Sequence, residues 1–128
     1  MKKAENFCRA VAQLEEAVRV YAAHPADKLY RDGLIQRFEF TVELAWKSAK
    51  EFLEDQGAVI TYAAPRAVLK EAYAAGLIDQ PDAWNDILTA RNVTSHIYSE
   101  DEATRVAMQI CDSFLPVLRD LAGRYSGQ

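Results

Sequence analysis

Between positions 91 and 98 the chain reads Arg91-Asn92-Val93-Thr94-Ser95-His96-Ile97-Tyr98. A fixed cation, an amide, a titratable imidazole and a phenol thus fall within one short stretch. His24, the other histidine of the chain, has no comparable neighbours. The planar guanidinium of arginine is always charged and matches phosphate oxygens with a rigid fork. A neutral imidazole gives or takes a proton near physiological pH. Together they suit a phosphodiester better than a carbonyl or a sugar.

These residues need a scaffold, and the spacing predicts a helix. Trp84, Arg91 and Tyr98 are seven apart, which keeps them within about 20° of one line. Ser95 lies close to that line and Leu88 not far from it. Asn92 and His96, four apart, are neighbours on the adjoining arc. The stripe begins apolar at Trp84 and Leu88 and turns polar and cationic towards its end. That pattern fits a cleft at one end of a bundle, or a seam between two subunits, with Trp84 and Ser95 as candidate lining residues. The step from Arg91 to His96 is about 140° on a regular helix. Either the length of arginine or a break in the helix ahead of Ser99 would bring the two together. Each residue also has an ordinary structural use. Arg91 and His96 are cations that favour a helix C-terminus, and His96 could equally be a satisfied buried group. Tyr98 stands where a hydrophobic staple onto Ala103 would sit, and Asn92 could cap or bridge.

The rest of the chain is helical in pattern. Ala4, Phe7, Val11, Leu14, Val18 and Tyr21 give one apolar face, which should end near His24-Pro25 because the residue before proline avoids helical angles. Asp27 can cap a longer helix. There Leu34, Phe38, Thr41, Ala45, Ala49 and Phe52 form one stripe, and Ile35, Val42, Trp46 and Leu53 a second. Two stripes predict burial over a wide arc, in a bundle centre or under a partner chain. On the same helix Arg37, Glu39, Glu43, Lys47, Lys50 and Glu51 read as a solvated, ion-paired face, with a partner- or RNA-facing surface as the rival. Gly33 marks a late start or an irregularity, and Gly57 supplies a left-handed C-terminal cap. Val59-Ile60-Thr61-Tyr62 reads as a packed loop. Pro65 opens a third helix, with Val68, Leu69, Ala72 and Tyr73 inward and Gly76 at its end. Asp79 and Pro81 open the fourth, through Trp84, Ile87 and Leu88. Ser99 and Glu102 form a capping box for the last, which carries Val106, Ala107, Ile110, Phe114, Val117 and Leu121 and which Pro116 should kink or end. With neither repeats nor a linker, residues 1–128 are expected to form one all-α domain, an antiparallel up-and-down bundle of four or five helices.

The chain has 128 residues, 50% hydrophobic and 27% charged, ordinary values for a globular protein. No apolar run approaches the roughly 20 residues that cross a bilayer, and no signal-peptide pattern leads the sequence, so a cytoplasmic location is expected. Cys8 and Cys111 border apolar stripes and read as reduced core thiols. No Cys or His pair has metal-ligand spacing, so neither a metal nor another cofactor is expected. The net charge of −4 argues against a generic nucleic-acid coat, which needs a basic excess. Any nucleic acid would be handled at a focused site.

The stretch from Arg91 through Asn92 and His96 to Tyr98 resembles the motif of the HEPN superfamily, in the Arg-x4-His-x-Tyr form of toxins that pair with minimal nucleotidyltransferase antitoxins. Within it the chain is most similar to the nucleotidyltransferase substrate-binding proteins. Arg37-Phe38-Glu39-Phe40-Thr41-Val42-Glu43-Leu44-Ala45-Trp46-Lys47, Pro65-Arg66, Gly76-Leu77-Ile78 and Trp84 extend the likeness over about residues 5–120. Ser99 stands where an acid is usual in this branch. The resemblance implies a helical bundle that forms a homodimer, with the Arg/His motifs of two subunits meeting at one cleft. It implies metal-independent RNA cleavage to a 2′,3′-cyclic phosphate and a 5′-hydroxyl. His96 would act as general base or acid, Arg91 would stabilise transition-state charge, and Asn92 would orient His96 or a phosphate oxygen. It further implies a minimal nucleotidyltransferase antitoxin as partner, which transfers AMP to Tyr98 and so silences the ribonuclease. The chain lacks the Gly-Ser loop and spaced aspartates of a nucleotidyltransferase and is not one itself. The alternative is a non-catalytic subunit that binds substrate or nucleotide for a separately encoded transferase.

Overall fold

Phe7, Val11, Leu14 and Tyr21 recur at helical spacing and are buried along one face of α1 (Lys2–Ala23) in the computed structural model, which describes residues 2–127. The helix stops ahead of Pro25, as the sequence predicts. Asp27 caps α2 (Lys28–Asp55), its carboxylate accepting from the Tyr30 N–H at 3.0 Å. Gly33 neither delays nor interrupts α2; it is exposed and continuous with the helix. Both apolar stripes of α2 are used within the chain. Leu34, Phe38, Thr41, Ala45 and Ala49 are buried on one, Ile35, Val42 and Leu53 on the other, and α2 packs against α1, α3, α4 and α5. The wide arc therefore reflects a central position, and gives no separate sign of a partner chain. At its end Gly57 adopts φ 96°, and the Ala58 N–H returns to the Leu53 carbonyl at 2.9 Å.

In the loop that follows, only Ile60 packs against the core. Val59 and Tyr62 are 85% and 73% exposed, so the β-prone run is not the packed loop its composition suggested. Pro65 opens α3 (Pro65–Ala74), where Val68, Leu69 and Ala72 are buried. Tyr73, expected inward, is half exposed, because α3 presents only one narrow face to α2 and α4. Pro81 opens α4 (Pro81–Thr94), anchored by Trp84, Ile87, Leu88 and Ala90. Ser99 caps α5 (Glu100–Gln109) by accepting from the Glu102 N–H at 3.2 Å.

Pro116 has an unexpected effect. The helix neither ends nor breaks there. A π-helical turn, Ile110–Phe114, leads into α6 (Leu115–Ser126). A proline ring has no N–H and needs room at the carbonyl four residues earlier; one widened turn supplies that room. α5, the π turn and α6 run on as one long element, which makes the architecture five-helical. Phe38 of α2 stacks on Phe114 of the π turn, ring centroids 5.6 Å apart. The Ser48 and Tyr125 hydroxyls meet at 2.9 Å between α2 and α6.

Candidate functional site

The last turn of α4 carries the cation. Arg91 Nη1 lies 3.3 Å from Glu39 Oε2 on α2, 3.4 Å from Ser95 Oγ and 3.5 Å from Thr94 Oγ1. The Thr94 hydroxyl is itself 2.7 Å from the same Glu39 oxygen and 2.6 Å from the Arg91 carbonyl, which share its one proton. All contacts of the Arg91 guanidinium within the described residues fall on Nη1. Nε and Nη2 are left free, and the side chain opens onto a cleft of about 660 Å³. Asn92 and Ser95 line that cleft with Arg91; Trp46, Tyr62 and Arg66 face them from α2, the following loop and α3.

α4 ends at Thr94, and Ser95 is its C-cap. His96 lies just beyond, its N–H donating to the Val93 carbonyl at 2.8 Å. Its imidazole is exposed and has no hydrogen-bond partner among the described residues. His96 opens onto a neighbouring recess of about 370 Å³, together with Arg66, Asn92 and Glu102. Arg91 and His96 thus do not line one cavity. They flank two adjoining ones, and Asn92 and Arg66 line both.

Tyr98 is 88% exposed on the segment between α4 and α5, at the edge of a third recess that it shares with Arg31 and Glu100. It is not a staple onto Ala103; Ile97 packs against the core in its place. The segment is moored by Arg31, whose buried guanidinium donates to Glu100 at 2.6 Å and to Asp32 at 3.0 Å. That hydrogen bond from Arg31 holds the Glu100 carboxyl below its ordinary range. Trp84, a candidate lining residue, is buried and faces a pocket against α3 instead of the Arg91 cleft. It lies two turns back along α4, roughly 10 Å in axial rise.

Several site residues escaped the sequence reading. By spacing, Glu39 belongs to a solvated ionic face. Glu43–Lys47 at 3.2 Å and Lys50–Glu54 at 3.1 Å behave so, but Arg37 donates to the Gln13 carbonyl of α1 at 2.9 Å, Glu43 also lines the Arg91 cleft, and Glu39 turns to Arg91. Arg66 is held by neutral groups, Nη1 on Asn85 Oδ1 and Nη2 on Thr89 Oγ1, both at 3.1 Å. Trp46 is fixed by its indole N–H donating to Glu43 at 3.2 Å. The pairings of Glu39 and Arg66 cross between helices, and no spacing within one helix announces them; the Trp46–Glu43 bond is a three-residue step within α2. The two thiols are free and half-buried; burial pushes the Cys111 thiol above its ordinary value. Among the described residues no three His, Cys, Asp or Glu side chains cluster to hold a metal ion, and no helix is long and apolar enough to cross a membrane.

The profile of a family described as "Nucleotidyltransferase substrate binding protein like" matches residues 2–126. The chain is 40% identical over 88 residues to a "Probable ribonuclease HepT" of Haemophilus influenzae, a match covering 65% of this chain and 58% of that protein. Its fold is similar to a solved Haemophilus influenzae structure said to reveal the fold of a substrate binding domain of a nucleotidyltransferase. The TM-score is 0.84 at 29% identity, over 96% of this chain and 98% of the other. A chain from the crystal structure of a mutant of a MntA–HepT toxin–antitoxin pair shares the fold at 16% identity, with a TM-score of 0.74 over 99% and 97% of the two chains.

Proposed function

This chain belongs to the nucleotidyltransferase substrate-binding-protein-like family, and from that premise we propose that it is a HepT-type endoribonuclease whose chemistry is carried by Arg91 and His96. The supporting observation is that the two side chains open onto adjoining recesses that share Asn92 and Arg66. A phosphodiester lying across Asn92 would meet the free Nε and Nη2 of Arg91 on one side and the imidazole on the other. His96 takes the proton of the ribose 2′-hydroxyl or gives one to the leaving 5′-oxygen. Arg91 offsets the charge that builds on the phosphorane-like transition state. Asn92 orients the imidazole or a phosphate oxygen. The products are a 2′,3′-cyclic phosphate and a 5′-hydroxyl, and no step needs a metal. His96→Ala should lower cleavage by about 10²- to 10⁴-fold in EDTA; equal cleavage by both proteins would reject the role.

The partner in this reading is a separately encoded minimal nucleotidyltransferase acting as antitoxin. It moves AMP from ATP onto the Tyr98 oxygen with release of pyrophosphate. The exposure of the Tyr98 ring supports this, since a transferase can reach it. Intact mass after co-expression should rise by one AMP in the wild-type chain and stay unchanged in Tyr98→Phe; an equal gain in both would move the modification elsewhere. The working unit is a homodimer, in which a second copy would close the two recesses. One observation favours the alternative of a non-catalytic substrate-binding subunit. The charge of Arg91 is already opposed by Glu39, which weakens it as a phosphate ligand.

A further inference from the structure

We propose that Arg66, Tyr62 and Trp46 form a nucleotide subsite, with a phosphate on Arg66 and the adjoining base stacked against the two rings. The inference deepens the phosphodiester reading above and rests on it for the choice of RNA as probe. Arg66 differs from Arg91 in its partners. Its two terminal nitrogens rest on the neutral oxygens of Asn85 and Thr89, and no carboxylate lies within ion-pair distance among the described residues. Its charge is therefore oriented but not paired, with Glu43 and Glu102 elsewhere in the lining of its two recesses, and an unpaired guanidinium keeps its fork for an anion. It also lines both the Arg91 cleft and the His96 recess. A phosphate held there is next to the one at which His96 acts, or is that phosphate itself.

The rings are placed for a different partner. Tyr62 is 73% exposed on a loop and contributes little to the core. The Trp46 indole is locked by its hydrogen bond to Glu43, so its orientation is set before any ligand arrives. Aromatic faces beside a cationic groove are the usual platform for single-stranded nucleic acid, because every base has a π-face. The cleft, at about 660 Å³, lies within the ordinary range for a small-molecule site. The acidic net charge of the chain is consistent with affinity concentrated at one place rather than spread over a basic surface.

A stacked base with its phosphate could come from RNA or from a free nucleotide, and the test separates the two. The probes are a dye-labelled 2′-O-methyl oligoribonucleotide, which cannot be cleaved, followed by anisotropy over a range of salt, and ATP followed by calorimetry. The full chain is compared with Arg66→Ala, Tyr62→Ala and, as a charge control on α6, Arg119→Ala. All three positions are exposed, so folding should survive. Arg66→Ala should weaken oligonucleotide binding at least about tenfold and reduce the slope of log K against log salt by about 0.7. Tyr62→Ala should weaken it by about 5- to 150-fold with the slope unchanged, and Arg119→Ala should match the wild type. The same losses seen with ATP but not with the oligonucleotide would support the subsite and assign it to a free nucleotide. Wild-type affinity in both Arg66→Ala and Tyr62→Ala, or no binding of either probe to the wild type, would overturn the subsite. Binding lost in both variants, with RNA cleavage unaffected by His96→Ala, would keep the subsite and remove the catalytic reading.

Discussion

Arg91 is held by one nitrogen and offers the rest of its fork to the cleft. Glu39, Thr94 and Ser95 all meet Nη1, so the group is aimed without being consumed. A lysine at 91 would still reach Glu39 but would have no second, coplanar donor for a phosphate oxygen. Arg91→Lys should therefore cut RNA cleavage by about 10- to 150-fold, the worth of a charge-assisted hydrogen bond, with little change in thermal stability because the ion pair is half-exposed and contributes little. Cleavage at the wild-type rate would show that charge alone is used. At this scale the sequence offers candidates where their spacing is local. Arg91, Asn92 and His96 announce themselves by type and spacing. Glu39 does not, since its four-residue step to Glu43 looks like any solvated row. Trp84 misled for the opposite reason, because an angular match on a helix ignores the axial distance between the residues.

Elements set where these groups point. α4 ends at Thr94 and leaves His96 just past the Ser95 C-cap, and the Arg31–Glu100 clasp ties α2 to the start of α5 beside Tyr98. The helices themselves were legible from apolar period, proline and glycine positions, and the Ser99 cap. The π turn was not, because a proline inside a helical pattern permits a kink, a stop or a widened turn, and only packing against Phe38 and its neighbours chooses among them. Tyr125 gives a handle on how α2 and α6 are joined. Burial, partly offset by the hydrogen bond with Ser48, pushes its phenol up to about 12. A folded-state value above that of the unfolded chain means that the neutral phenol stabilises the fold. That stabilisation is complete below about pH 10 and is lost as pH rises towards 12. Alkaline titration followed by ultraviolet difference spectroscopy should show one tyrosine ionising late, together with loss of helix. Tyr125→Phe should remove that late ionisation, and early ionisation of every tyrosine in the folded chain would contradict the packing.

At the scale of the whole molecule, a net charge of −4 and two guanidiniums, Arg66 and Arg91, at adjoining recesses describe a focused site on an acidic body. Steering of RNA over long distance is weak in such a molecule, so its specificity should come from the clefts. Four helices around a central α2 hold those clefts between elements that do not depend on loops, apart from Tyr62 and residues 97–99. The claim on which the account depends is that a 2′-oxygen attacks its own phosphodiester beside Arg91 and His96. The most direct measurement is cleavage in EDTA of an oligoribonucleotide compared with the same strand carrying a single 2′-deoxy residue on the 3′-phosphate side of the mapped cut. The first strand should be cut to a cyclic phosphate end by the wild type and not by His96→Ala, and the second should stay intact at that position. Cleavage of the deoxy-substituted strand at the same bond, or a product ending in a 5′-phosphate, would contradict that claim.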